Sequence, residues 1–340
     1  MKRSSRDYYI AFNMIQGIGG RRMLALEKQF GTLDKAWHAS YKELLATPGL
    51  GEKTVQSVCT QRRKVCPVKE MEWAKKHGGR ILTLADSDYP EILRTLAVPP
   101  PTIYVIGTIP DQAGIAVVGT RRPSQSGVMQ ARYFSSEIAK RGVPVISGLA
   151  RGIDRHAHEG ALAVDGVTVG VLGSNIGAIY PSEHRALAGR IGQQGAVVSE
   201  FSSRCPTVPG NFLRRNRIIS GLSCGVLVVQ AGLKSGALNT ADWALDQGKD
   251  VWAVPGEISD PLRQGTHYLI KQGAGLVSHV NDILPPSGDH DQNSDPLSEQ
   301  IAALYSAGCH INEISTQLRL PIQKVLAEIS RMQVDGTLKL

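Results

Sequence analysis

Between residues 80 and 284, short Val-rich apolar runs alternate with helix-length segments, and this rhythm constrains the fold more than any other feature of the chain. The runs are Ile115-Ala-Val-Val-Gly119, Val143-Pro-Val-Ile-Ser147, Val167 to Leu172, Ala196 to Ser199, Gly225 to Gln230 and Val251 to Val254. Arg80 to Leu84 and Thr102 to Ile106 add strands at the start. Apolar runs with no polar alternation are covered on both faces, as in parallel sheets whose crossover helices lie on both sides. The expectation is therefore an α/β fold: an extended Rossmann-like, doubly wound, mostly parallel sheet over residues 81–284. Such sheets bind ligands beyond the carboxyl ends of their strands. The loops there are Gly119-Thr-Arg-Arg-Pro-Ser124, Ser147 to Asp154, Gly173 to Gly177 and Ala231 to Gly236.

The segments on either side follow different rules. Residues 1–80 read as short helices with two similar turns, Gly17-Ile-Gly-Gly20 and Gly49-Leu-Gly-Glu52, placed 32 residues apart. A Gly-hydrophobic-Gly turn that opens a helix points bare backbone N–H groups outward, a geometry suited to one backbone phosphate. The pair resembles a tandem helix-hairpin-helix (SAM-like) element, with Arg21, Arg22 and Lys53 beside the turns; glycines that merely cap the helices of a small bundle are the alternative. Residues 285–296 are rich in Pro, Ser and Asp and read as a linker. Residues 297–340 read as three helices, Leu297 to Tyr305, Ile311 to Leu318 and Pro321 to Met332, with Gly336 to Leu340 as the start of a wing, a winged-helix-like domain. Charge divides the same way: +9 over residues 1–80, +2 over 81–284 and −3 over 285–340. The last figure argues against major-groove readout by the third helix, which offers only Gln323, Lys324 and Arg331 as polar readers.

Composition excludes several classes. Five scattered cysteines with no C-x-x-C pair argue against a disulfide framework and a structural zinc. No apolar run approaches a membrane span, and Met1 to Asp7 lacks the apolar core of a secretory signal. A cytoplasmic setting with no membrane partner is expected.

The chemistry concentrates at Phe212-Leu-Arg-Arg-Asn-Arg217. Three arginines in four residues, read as lying at a loop-to-helix junction beside an aromatic, form a candidate clamp for phosphates and bases; a structural ion-pair network is the alternative. Arg121, Arg122 and Arg151 occupy other strand-end loops, and convergence of these cations on one crevice implies an anion site.

The loops resemble those of the DNA-processing protein A (DprA/Smf) family of single-stranded-DNA-binding recombination mediators. The resemblance rests on Ala116-Val-Val-Gly-Thr-Arg-Arg-Pro-Ser124, Ser147-Gly-Leu-Ala-Arg-Gly-Ile-Asp154 with His158 and Leu162, Val171-Leu-Gly173 with Tyr180-Pro181, and Ser199-Glu200. It continues through Phe212 to Leu222, Ser235-Gly-Ala-Leu238 with Thr240-Ala241, Ala253-Val-Pro-Gly256, and Leu269-Ile270 with Gly273-Ala274. It implies a DNA-binding protein rather than an enzyme, without cofactor or metal. Its partners would be single-stranded DNA, the RecA recombinase that it helps to load during natural transformation, single-strand-binding protein, and a second copy of itself. The implied DNA-binding residues are Gly119, Arg121, Arg151, Phe212, Arg215, Asn216 and Arg217. Backbone N–H groups at Gly119 would hold one phosphate, and Arg215 and Arg217 would bracket its neighbours in forked hydrogen bonds. Phe212 would stack a base or else pack in the core, Arg151 would meet DNA or pair with Asp154 or Glu200, and Asn216 would line the pocket or cap a helix. His267 and Leu276 are candidates for the dimer interface. The chain departs from the family pattern at Thr120, Leu213, Gln230 and Asn239.

Two enzymatic readings are weaker. Asp154, His156 and His158 lie within five residues, but Asp154 reads most simply as a helix N-cap. A nucleoside-monophosphate phosphoribohydrolase-like enzyme would carry Pro-Gly-Gly-x-Gly-Thr-x-x-Glu, and Ser235-Gly-Ala-Leu-Asn-Thr-Ala241 stands in its place without the Glu, while a Rossmann-type nucleotide-binding protein would carry the dinucleotide fingerprint, which is missing.

Overall fold

The computed structural model describes residues 3–285, 296–306 and 309–334, in two compact units divided at Ile283 and Leu284. The first opens with six helices, α1 (Ser5–Asn13), α2 (Gly20–Phe30), α3 (Leu33–His38), α4 (Tyr41–Leu45), α5 (Glu52–Gln61) and α6 (Pro67–Lys76). The two similar turns are built alike. Gly17 and Gly49 take φ of 93° and 82°, backbone conformations costly for residues with a Cβ. Gly19 and Gly51 then become the N-caps of α2 and α5. Arg22 is not a free cation at these turns. Its Nη1 donates to Gly17 O at 2.6 Å and its Nε to Gly49 O at 3.0 Å, so it ties one turn to the other.

The sheet follows as β1 (Gly79–Thr83), α7 (Glu91–Arg94), β2 (Thr102–Gly107), β3 (Gly114–Gly119), α8 (Gln125–Lys140), β4 (Val145–Ser147), α9 (Ile153–Leu162), β5 (Thr168–Leu172), α10 (Arg185–Gln194) and β6 (Ala196–Ser199). It continues as α11 (Pro209–Gly221), β7 (Ser223–Gln230), α12 (Gly236–Asp246), β8 (Asp250–Ala253), α13 (Gln264–Lys271) and β9 (Gly275–Leu276). Nine strands form one sheet in the order β1-β2-β6-β5-β4-β3-β7-β8-β9. The seven from β6 to β9 run parallel; β1 and β2 join antiparallel at one edge. The doubly wound, mostly parallel sheet is as expected. From β3 the chain winds one way through β4 to β6, then returns to lay β7 on the other side of β3. The topological switch point therefore falls between β3 and β7.

Alternate residues of β1, β2, β5 and β6 feed two cores. Tyr104, Leu172 and Val197 pack with α10 and with the N-terminal helices. Val105, Val118, Val171, Val198 and Val228 pack with α11, α12 and α13. The N-terminal helices thus share a core with one face of the sheet. A buried polar joint reinforces the contact: Glu70 of α6 accepts from Tyr104 Oη at 2.9 Å, from Ser203 N at 2.7 Å and from Ser203 Oγ at 2.5 Å.

The second unit holds α14 (Pro296–Ser306), α15 (Ile311–Leu318) and α16 (Ile322–Val334) around Ile301, Ile314, Val325 and Ile329. These are the three helices expected; the wing at residues 336–340 and most of the linker lie outside the described residues.

Glu70→Ala should lower stability by about 2–4 kcal/mol, because it leaves a buried phenol, hydroxyl and amide without their acceptor. Denaturant unfolding midpoints measure this; a shift no larger than that of an exposed-site control would show that the joint holds nothing.

Candidate nucleic-acid interface

A crevice of about 500 Å3 opens at the switch point, beyond the carboxyl ends of β3 and β7. Its walls come from the Gly119 to Arg121 turn, Ala150 and Asp154, the α11 face bearing Phe212, Arg215 and Asn216, and the turn from Gly232 into α12. Gly119 ends β3 where a Cβ would meet Ile153 Cγ1 at 2.6 Å and Gln230 O at 2.7 Å, so only glycine lets these elements close up. The next loop is equally constrained: Leu149, fully buried, sits at φ 53°, and its carbonyl accepts from His184 Nδ1 at 2.9 Å. Gln230 is buried at the head of α8. Its Oε1 accepts from Ser124 N and its Nε2 donates to Ser124 Oγ, both at 2.9 Å.

The arginine cluster is arranged differently from its appearance in the sequence. Helix α11 begins at Pro209, with proline in its first turn and Val208 as N-cap. Residues 214 to 217 thus lie inside the helix and fan out by about 100° per residue. Asn216 is no cap: its Nδ2 donates to Gly236 O and to Asn239 Oδ1, both at 3.2 Å. Arg215 is 3% exposed, and its Nη1 donates to Gly148 O at 2.5 Å and to Val171 O. Burial lowers its pKa to about 10, opposed by the nearby Asp154 carboxylate. Arg217 lies on another side of the helix, buried, with its Nη2 on Glu200 Oε2 at 2.5 Å. Arg215 and Arg217 therefore do not bracket one pocket, because two residues apart on a helix is about 200° around it.

Phe212 is half-buried on the crevice wall. Its ring lies where a Cβ on Gly173 would stand 2.5 Å from Cδ1, 5.4 Å from the Tyr180 ring, and 5.6 Å beneath the Arg121 guanidinium. Arg121 and Lys234 are exposed and line the crevice. Lys234 escaped the sequence reading, although it falls in a strand-end loop already marked there. Arg151 sits outside, lining a small side pocket with Arg121 and Phe212. Its partner is Glu183, at 2.5 Å, rather than Asp154 or Glu200.

The Asp154/His158 pair is occupied by the fold. Gly152 is the N-cap of α9, so Asp154 lies in the first turn rather than at the cap, buried, with its pKa raised by desolvation against the pull of Arg215. His158 Nδ1 donates to Thr168 Oγ1 at 2.7 Å, which in turn donates to Val145 O at 2.7 Å. Burial, with His184 and Arg215 adding to it, lowers the His158 pKa to about 3, so the imidazole is neutral near pH 7. His156 is held by Glu159 at 3.0 Å. At the other end of the sheet, His267 Nε2 contacts Gly256 O at 3.1 Å, and Leu276 stands exposed on the terminal strand β9.

Residues 80–286, more than half of the chain, match the family described as DNA recombination-mediator protein A. The chain belongs to that family. Residues 10–64 match the SAM-like helix-hairpin-helix tandem. Protein Smf of Escherichia coli is 37% identical over 300 residues, covering 81% of this chain and 80% of that protein. Protein Smf of Synechocystis sp. is 35% identical over 294 residues, covering 85% and 74%. Among solved structures, DNA processing protein A from Streptococcus pneumoniae superposes with a TM-score of 0.70 at 28% identity, covering 84% of this chain and 98% of that one. The Helicobacter pylori protein, solved to explain its single-stranded DNA binding mode, superposes at 0.53 with 29% identity, covering 60% and 93%.

The buried His158 predicts an acid limb. Unfolded, this imidazole takes a proton near pH 6.5; folded, only near 3. Between those values the unfolded state binds more protons, so stability is fully present above about pH 6.5 and falls with decreasing pH, by up to about 1.4 kcal/mol per unit. His158→Gln should show a shallower loss between pH 7 and pH 5 in urea unfolding. Equal losses in the two proteins would exclude His158 as the cause.

Proposed function

We propose that the chain binds single-stranded DNA in the switch-point crevice and acts as a recombination mediator, protecting incoming strands and passing them to RecA recombinase during DNA uptake. The observation that carries this is the crevice itself: exposed Arg121 and Lys234 flank a half-buried Phe212 ring at the switch point. Cations neutralise phosphates and a ring stacks any base, a combination that grips a strand without reading its sequence. The single-stranded DNA binding of the Helicobacter pylori relative supports the same assignment.

The roles divide by exposure. Gly119 and the turn beyond it bring backbone close to a phosphate, Arg121 and Lys234 meet the strand, and Phe212 offers its ring face. Arg215 and Asn216 form the floor, where their hydrogen bonds to Gly148, Val171 and Gly236 hold the walls together. Arg151 stands at the rim, released to DNA when it leaves Glu183. Binding is favoured over catalysis because Asp154 and His158, the acid/base candidates, are buried and engaged. Single-strand-binding protein is a further proposed partner on the same strands.

Oligothymidine binding should weaken steeply with salt, with a slope of about −0.7 in log–log form per phosphate neutralised, and should exceed binding of a matched duplex. Arg121→Glu should reduce affinity on the order of 10–100-fold, since it replaces attraction by repulsion at an exposed site. Arg217→Glu is a poor test, because it would set a second carboxylate against Glu200. A flat salt response, or an Arg121→Glu protein that binds like wild type, would place the interface elsewhere.

We also propose a homodimer through the end of the sheet, where Leu276, Ile258 and Tyr268 are exposed apolar side chains and His267 lies on α13. Leu276→Arg would place a charge in a self-complementary contact and should yield monomers in sedimentation. A wild-type protein already monomeric at micromolar concentration would remove this interface.

A further inference from the structure

A second cavity, of about 550 Å3, lies across α11 from the crevice, where the first Gly turn faces the sheet. Its lining includes Gly19, Gly20, Arg21, Arg214, Arg217 and Trp243. Helix α2, eleven residues long, begins here with Gly19 as N-cap and no side chain closing it, so the N–H groups of its first turn keep their positive end. A Cβ on Gly19 would stand 3.3 Å from Arg214 Nη2, so bare backbone and guanidinium meet at the cavity wall.

The second observation is Arg217. It is 6% exposed, and its Nη1 has no hydrogen-bond partner. Glu200 Oε2 takes its Nη2 at 2.5 Å, while Glu200 Oε1 lies 3.1 Å from Arg214 Nε. One carboxylate thus answers two guanidinium groups and leaves one positive charge over. Arg21 is exposed and adds another, whereas Arg22 is bound to the turn carbonyls of Gly17 and Gly49. Trp243 is half-buried on the wall and presents an indole, the kind of surface on which bases stack.

We propose that this cavity is a second nucleotide subsite, in which a phosphate of the bound strand sits between the first turn of α2 and the Arg214–Arg217 pair, with its base against Trp243. The proposal rests on the reading that the crevice takes single-stranded DNA. Phe212, Arg215 and Asn216 serve one side of α11, and Arg214 and Arg217 another, so a strand leaving the crevice crosses one helix, roughly 10 Å, to reach the subsite. The N-terminal helices then complete the strand path. Free phosphate shares the chemistry of a strand phosphate and is separated from it in the test.

Tryptophan fluorescence of wild type minus Trp243→Phe isolates the reporter during titration with inorganic phosphate and with oligothymidines of about six and about twenty nucleotides. The longer strand should change the Trp243 signal. Arg21→Glu and Arg214→Ala should each weaken the longer strand by about tenfold at low salt and flatten its salt slope by about 0.7 per lost phosphate. Both should leave the short strand, held in the crevice, unaffected; Arg121→Glu should weaken both lengths. A Trp243 signal indifferent to DNA and to phosphate would overturn the subsite, whatever the crevice does. A response to phosphate alone, with the long-strand slope unchanged in both variants, would overturn the strand path and leave a small-anion site. If the short strand fails to bind wild type while Trp243 still reports the longer one, the crevice reading falls and the subsite stands.

Discussion

The buried guanidinium of Arg215 is the interaction on which the rest of the architecture turns. It lies among the carbonyl oxygens of Gly148 and Val171, with the Asp154 carboxylate close across Gly148. In that position it joins the ends of β4 and β5, the first turn of α9 and the middle of α11. A buried charge is costly unless it is fully answered. Here the answer comes from several elements at once, so each is held where the crevice needs it. The same residue raises the local positive potential, which opposes the desolvation of Asp154 and helps to keep His158 neutral. The floor of the crevice is therefore a structural charge network, and its upper walls carry the free cations.

That division explains what the sequence revealed and what it concealed. The sheet was legible because Val-rich runs such as Ile115 to Gly119 and Gly225 to Gln230 are buried on both faces, a pattern with few competing explanations. The twin Gly turns were legible because a positive φ at Gly17 and Gly49 demands glycine at matching places. The arginine cluster was misleading because proximity in sequence is not proximity in space. One helix carries Arg215 to the crevice floor and Arg214 with Arg217 to its other side on Glu200, and that helix begins at Pro209, ahead of the junction read at the arginines. The partner of Arg151, Glu183, lies 32 residues away on a turn with no signature of its own.

Gln230 and Asn239, two of the positions read in the sequence as departures from the family pattern, each have local partners. Gln230 keeps the head of α8 capped through Ser124, and its Nε2 also reaches Asp260 Oδ2 at 3.3 Å. Asn239 accepts from Asn216, so the crevice floor gains a hydrogen bond there. Neither change touches the exposed cations. Scaffold and contact residues can therefore vary separately, as expected when binding groups are mounted on a rigid support.

The clasp made by Arg22 has a consequence for how the N-terminal repeat can evolve. Because one guanidinium holds the carbonyl of each glycine turn, neither copy has an independent fate. A change that reshapes one turn pulls on the other, so the two turns must change together or lose their shared clasp. The pair of turns behaves as a single lever with two ends, held at the span between them.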